Sequence, residues 1–322
     1  MNKKLLTWQF IYNNLQQATP VILLYVLESK GSSPGRQGFF MAVNEMGEMS
    51  GSIGGGMMEH KFVELAKTKL QQDIKEHSVY HQFHDKTAAK NQSGMICSGE
   101  QTIFIYTVQQ TDITAIAAVM STLVKNENGT LQVTANGLSF LNKVAAHNYV
   151  YELKSESDFL LEEKIGYQNH LYIIGGGHCS LAFSQLMSTM DFYIHLVEER
   201  EGLNTMAENN FVHEKIKVDG YELLNQIILP GQNIFIVIMT FGYRTDETAL
   251  KAVINKEVAY LGILGSKNKI EKLLGDFLNA GTPKEILDKI HAPIGIAIKS
   301  QTPEEIAVSI AAEIIKVKNA GL

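Results

Sequence analysis

Cysteine is scarce in this chain of 322 residues: there are two, Cys97 and Cys179. Two thiols this far apart exclude a disulfide framework and a C-x-x-C zinc site, and both read as thiols of a reducing cytosol. Positive charge is not in excess either. The formal net charge of -6 excludes a surface that coats nucleic acid. The apolar run 21–27 is closed by Glu28, far short of the ~20 residues that a membrane span needs. Lys3 and Lys4 are followed by Gln9, Asn13, Asn14 and Gln16, which interrupt any signal-peptide core. The expectation is a cytoplasmic protein with neither nucleic acid nor membrane as a partner.

Hydrophobic residues make up 45% of the chain and charged residues 19%, the balance of a soluble globular protein long enough for two domains, each with its own core. Apolar residues recur at helical spacing over 5–15, and Pro20 ends that element. The run 21–27 has no alternation and predicts a strand covered on both faces. It delivers the loop 28–38, ESKGSSPGRQG, which exposes Ser32, Ser33 and Arg36 among glycines; this is either an anion site or a plain surface connection. Residues 39–43 and 49–53 predict a hairpin that runs into Gly54, Gly55 and Gly56, and a helix over 57–70 follows at once. Glu59 in its first turn is a helix-dipole residue or part of a site. Cys97, flanked by Gly94 and Gly99, reads as a small buried hydrophobe or as a loop thiol. Strands at 77–84, 102–108, 131–133, 139–141 and 149–153, with a helix over 113–124, complete an antiparallel α+β half.

From 154 to 169 the chain turns polar and charged. The expected division is an α+β domain over 1–155, a linker over 156–169 and a second domain over 170–322. In the second domain strands and helices alternate, which predicts a Rossmann-like, doubly wound parallel sheet of the α/β class. Its first unit is LYIIGGGHCS at 171–180: strand, glycine turn, helix. In such a turn Gly175 permits the reversal and Gly177 lets phosphates approach the helix N–H groups. The third position of G-x-G-x-x-G falls on Ser180, small enough to pack. His178 either bonds a phosphate or lies exposed. Glu198 ends the second strand about twenty residues on, where an acid accepts from ribose hydroxyls; the alternative is the start of a charged loop. Ser266, with Lys267 and Lys269, lies in a later loop expected at the ligand edge. Thr302-Pro303-Glu304-Glu305 predicts a capping box before a helix over 306–317.

Together these junctions resemble the XdhC/CoxI family, accessory proteins of molybdenum hydroxylases such as xanthine dehydrogenase. The resemblance is carried by Gly31-Ser32-Ser33-Pro34, by Gly51-Ser52-Ile53-Gly54-Gly55-Gly56 with Glu59, and by the Cys97-Ser98-Gly99 loop. In the second half it rests on Gly175-Gly176-Gly177-His178, Leu261-Gly262-Ile263-Leu264-Gly265-Ser266, His291-Ala292-Pro293-Ile294-Gly295 and Thr302-Pro303-Glu304-Glu305-Ile306-Ala307. It implies a homodimeric protein that transiently binds molybdenum cofactor (molybdopterin), holds it while a cysteine desulfurase installs the terminal sulfido ligand, and passes it to an apo molybdenum hydroxylase of xanthine dehydrogenase type. The implied cofactor-binding set is Ser32, Ser33, Arg36, Gly54, Gly55, Gly56, Glu59, Cys97, Gly175, Gly177, His178, Glu198 and Ser266.

Departures from the family pattern narrow the metal chemistry. Met57 stands where relatives carry a cysteine after the glycines, and Ser98 replaces a glycine, so metal ligation rests on Cys97, a soft thiolate suited to such a centre. Phe241-Gly242-Tyr243-Arg244 replaces a histidine-containing segment. Two glycine-rich helix starts, one per domain, are expected to form a cleft. An NAD(P)-dependent oxidoreductase, whose cofactor would be NAD(P) or another nucleotide, and an interaction scaffold with a vestigial nucleotide site stay open as alternatives.

Overall fold

The structure is a computed structural model and describes residues 3–83, 99–125, 127–167 and 169–320. Cys97 lies outside the described residues. The chain divides into two compact units, Met1–Gly166 and Tyr167–Leu322. Among the described residues no helix is long and apolar enough to cross a membrane.

In the first unit, α1 (Lys3–Gln16) leads to β1 (Val21–Gly31), the hairpin β2 (Phe40–Asn44) and β3 (Met49–Gly51), α2 (Gly56–Gln71), β4 (Ser78–Phe83) and β5 (Gly99–Thr107). These strands form one antiparallel sheet in the order β3-β2-β1-β5-β4. Then come α3 (Ile113–Lys125) and a second antiparallel sheet of β6 (Gly129–Thr134), β7 (Gly137–Leu141), β8 (Tyr149–Ser155) and β9 (Asp158–Ile165), in the order β7-β6-β9-β8. The unbroken apolar run of β1 has its cause in this layering. Val21, Leu23, Tyr25 and Leu27 enter the core shared with α1, α3 and the second sheet, while Ile22, Leu24 and Val26 enter the core under α2. Each such side chain contributes roughly 1.5–3 kcal/mol by leaving water.

The stretch 156–169, expected as a linker, contains β9, a central strand of the second sheet. Its polar composition misled because one of its charges points inward. Glu163 is 1% exposed and accepts from Lys4 at 2.6 Å, from Tyr149 at 3.3 Å and from the Tyr25 hydroxyl. Burial, and then the Glu163 charge, push the Tyr25 phenol well up. The chain leaves the first unit only after β9.

The second unit opens with β10 (His170–Ile174) and α4 (His178–Met187), followed by β11 (Tyr193–Glu198), α5 (Asn204–Glu208), β12 (Glu214–Lys217) and α6 (Leu224–Ile227). It continues with β13 (Gly231–Ile238), α7 (Tyr243–Val253), β14 (Val258–Ile263), α8 (Lys267–Asn279), α9 (Lys284–Leu287) and α10 (Pro303–Lys318). All five strands are parallel, in the order β12-β11-β10-β13-β14. The order reverses between β10 and β13, and the crevice at their carboxyl ends is where ligands of such sheets lie. Leu171 and Ile173 face α4 and α10; Tyr172 and Ile174 face the other layer. β12, sequence EKIK, has no apolar run and escaped the sequence reading as a short, charged edge strand.

The His291–Gly295 motif, among the most distinctive in the sequence, is structural in this fold. His291 bridges the edge of β14, donating its N–H to Leu261 and accepting from Ile263. Gly295, at φ +96, donates to Glu313 of α10 at 2.9 Å, and Tyr260 of β14 donates to the same oxygen. The motif therefore closes a sheet edge and pins α10, whose expected capping box between Thr302 and Glu305 is present.

Candidate functional site

In the first unit three segments interlock. A Cβ added at Gly35 would lie 2.0 Å from the Ile53 carbonyl, and one at Gly54 would lie 2.6 Å from the Gly35 nitrogen. One at Gly99 would lie 2.5 Å from the Ser32 carbonyl. The buried amide of Gln101 ties the junction, donating to Gly35 O at 2.9 Å and Ile53 O at 3.2 Å. The loop after β1, the glycine turn before α2 and the start of β5 thus meet at glycines because nothing larger fits. Sequence reading missed Gln101, which carries no motif of its own.

Glu59 holds the glycine turn. Its Oε2 accepts from Ser52 Oγ at 2.7 Å, Gly55 N–H at 3.0 Å and Ile53 N–H at 3.1 Å. The turn needs glycine, since Gly54, Gly55 and Gly56 have φ of +127, +76 and +71. Two amides of this turn, those of Ile53 and Gly55, are therefore already engaged by the chain's own carboxylate, and Gly54 N–H is engaged by Ser52 Oγ. Ser33 is buried and donates to Gly35 O, Ser32 is exposed, and exposed Arg36 donates one N–H to Gly31 O at 3.1 Å. Met57 is 76% exposed at the position where the resemblance leads one to expect cysteine.

In the second unit the glycine turn sits at the switch point. Gly175, φ +105, donates to Val197 O, and a Cβ there would strike the Met239 carbonyl at 2.6 Å. Ser180, standing for the third glycine, is buried and donates to Gly175 O, while Thr205 donates to Gly176 O. Above Gly177, the N-cap of α4, an added Cβ meets nothing within 4 Å. This is the open point of the turn, beside the unshared N–H groups of the first turn of α4. His178 is exposed at that end.

Glu198 corrects an expectation. It is wholly buried, and Oε2 accepts from Gly176 N–H at 2.7 Å and Arg200 Nη2 at 2.7 Å. Oε1 accepts from Glu199 N–H, Arg200 N–H, Arg200 Nε and the Tyr221 hydroxyl, between 2.9 and 3.1 Å. Two oxygens with about four lone-pair sites leave no acceptor for a ribose. Burial pushes this carboxyl up, but Arg200 and the backbone N–H groups of Arg200 and Gly176 outweigh it and bring it down to about 2. Glu198 locks the turn. The partners Tyr221 and Thr205 escaped the sequence reading because they lie more than twenty residues from the atoms they touch.

Lys269, in the loop expected at the ligand edge, pairs with buried Asp246, which accepts from Thr240 N–H at 3.1 Å. Ser266 caps α8, accepting from Lys269 N–H, and stands exposed after β14. The structure brings Gly175, Gly177, His178 and Glu198 to one corner of the second unit, and Ser32, Ser33, Gly54 and Glu59 to one junction of the first. Among the described residues no group of three His, Cys, Asp or Glu side chains is placed to hold a metal ion.

Fold and site together define a two-unit protein, α+β followed by a Rossmann-type domain with its glycine turn at the switch point. Residues 171–314 match the XdhC Rossmann domain, and residues 15–80 match the XdhC and CoxI family. The chain belongs to the XdhC/CoxI family. It is 26% identical over 310 residues to "Uncharacterized protein YqeB" of Escherichia coli K12, covering 94% of this chain and 44% of that protein. It is 34% identical over 82 residues to a probable xanthine dehydrogenase component of Bacillus subtilis 168, covering 26% of this chain and 23% of that protein. The chain thus spans less than half the length of either curated relative. A crystal structure described as that of a xanthine dehydrogenase from Bacillus halodurans shares the fold, with a TM-score of 0.73 and 22% identity, over 100% of this chain and 97% of that one.

Proposed function

We propose that this protein is an accessory protein that binds molybdenum cofactor and holds it for a molybdenum hydroxylase of xanthine dehydrogenase type. A cysteine desulfurase would install the sulfido ligand, and the holder would act as a homodimer. The observation that carries the reading is the interlock of Gly35, Gly54 and Gly99. It rigidly joins the two glycine-rich loops of the family pattern to the strand that follows Cys97 in the chain.

The residues fit the cofactor's parts unevenly. Taken by itself, the second unit offers open space at Gly177 and the first turn of α4, which suits a phosphate group. In the first unit Glu59 engages the turn's own amides, leaving Ser32 and the outward donors of Arg36 for the ligand. The bound group would supply the metal centre that the client enzyme uses; this chain's residues would bind and shield it.

After anaerobic purification, molybdenum and pterin are expected with the unaltered chain and are expected to fall severalfold in Cys97→Ala, with the thermal midpoint unchanged. Equal loading of the two would remove the thiolate from the reading. Absence of both metal and pterin from the unaltered chain would remove the reading itself.

A second reading, that the second unit binds a nucleotide in its own right, is favoured by the strand order reversing at the glycine turn. Gly177 has φ -77 and open space above it, so Gly177→Ala is expected to shift stability by less than about 0.5 kcal/mol. The added methyl would stand where a phosphate must approach, and affinity for a nucleotide is expected to fall about tenfold. Unchanged affinity in a titration would sink this placement.

A further inference from the structure

The residue that ends the second strand of a Rossmann unit faces the ribose, and a carboxylate there reads a free diol. In this chain that reader is missing in practice, since Glu198 has no exposed surface and six protein donors. What stands at the same corner is Arg200. Its guanidinium has five N–H groups. Nε and Nη2 each donate to Glu198, and the side chain stays 32% exposed. The guanidinium carbon lies 4.8 Å from the ring centroid of Phe241, itself 60% exposed.

The stack has a defined place in the sheet. Arg200 follows β11 and Phe241 follows β13, the two neighbours of β10, so the pair spans the carboxyl end of β10 from one side to the other. One edge of the guanidinium is fixed by Glu198 and its face by the ring, which leaves its remaining N–H groups at the outer edge. Lys217 of β12 adds a second cation on that side, its ammonium donating to the Glu199 carbonyl. The Glu198 charge is paired with Arg200 within the protein, and a phosphate there would still meet the carboxylates of Glu199 and Glu201, next to Arg200 in the chain.

We propose that the second unit selects nucleotides bearing a phosphate on the ribose at this corner, held by Arg200, over nucleotides with a free ribose diol. The proposal rests on the second reading above. A planar, always-charged fork matches phosphate oxygens in pairs, and here its orientation is already set before any ligand arrives. Arg200 therefore loses little freedom on binding.

The test uses the full chain and two probes, adenosine 2′,5′-bisphosphate and 5′-AMP, titrated by calorimetry at low and moderate salt. The bisphosphate is expected to bind at least about tenfold tighter, with the advantage shrinking as salt rises. Arg200→Gln is expected to abolish the advantage, read as the ratio of the two affinities within that variant. Equal affinities, or tighter binding of 5′-AMP, would overturn the proposal and leave the nucleotide reading standing. A folded Arg200→Gln chain that keeps the whole advantage would also overturn it. No binding of either probe would overturn both. The comparison in the unaltered chain decides the matter even where the variant does not fold.

Discussion

Glu198→Ala is expected to destabilise the second unit by about 3 kcal/mol, read as a lower urea midpoint at unchanged slope. The loss has three parts. Gly176 N–H and the buried Tyr221 hydroxyl would keep no acceptor, at about 1–3 kcal/mol for each such group. Arg200 would lose its ion pair, but at 32% exposure it can turn to water, which limits that part. A change under about 1 kcal/mol would show that the six donors are merely nearby.

The pH dependence has a definite sign. In the folded chain the Glu198 carboxyl titrates at about 2, below the roughly 4.3 of an unfolded glutamate. Between those values the unfolded chain binds a proton that the folded chain does not, so acid favours unfolding. Its contribution is whole above about pH 4.3 and is lost as pH falls through about 2. The stability gap between the parent chain and Glu198→Ala should therefore narrow from pH 7 to pH 3. A gap that stays constant over that range would mean the carboxylate is not the group responsible.

The same residue shows what a sequence can and cannot carry. The acid at the end of the second strand was legible, as were the glycine turn and the strand order's class, because each depends on local periodicity and spacing. Its use was not. Gly176 lies 22 residues before it and Tyr221 23 residues after it, and only the folded sheet joins them. Glu163 repeats the lesson in the first unit. Polar composition around 154–169 read as a linker, yet the alternation of Phe159, Leu161, Glu163 and Ile165 is that of a strand whose inward charge is met by Lys4, from the start of the chain. β1, by contrast, was legible because burial on both faces writes itself as an unbroken apolar run.

In the first unit, Gly35→Ala is the severe test of the interlock. Gly35 does not need glycine for its backbone angles, since it is absent from the positive-φ residues; it needs glycine for space. The new methyl would sit 2.0 Å from the Ile53 carbonyl and 2.4 Å from Gln101 Nε2. Gln101 could move, but the carbonyl belongs to the backbone of the turn that Glu59 holds through Ile53 and Gly55. Something must open, and overpacking of this kind costs about 1–3 kcal/mol or more. Opening would also part Gly54 from Gly35 and release the Gln101 bonds to both loops. The expected result is a thermal midpoint lowered by several degrees together with lost retention of molybdenum and pterin. Gly55→Ala has open space around its Cβ but φ +76, so it carries backbone strain without the collision. Its loss is expected to be the smaller of the two, about 1–2 kcal/mol. If Gly35→Ala proved the milder variant, the contact between the two loops would not be what positions them, and the junction would lose its claim to organise the site.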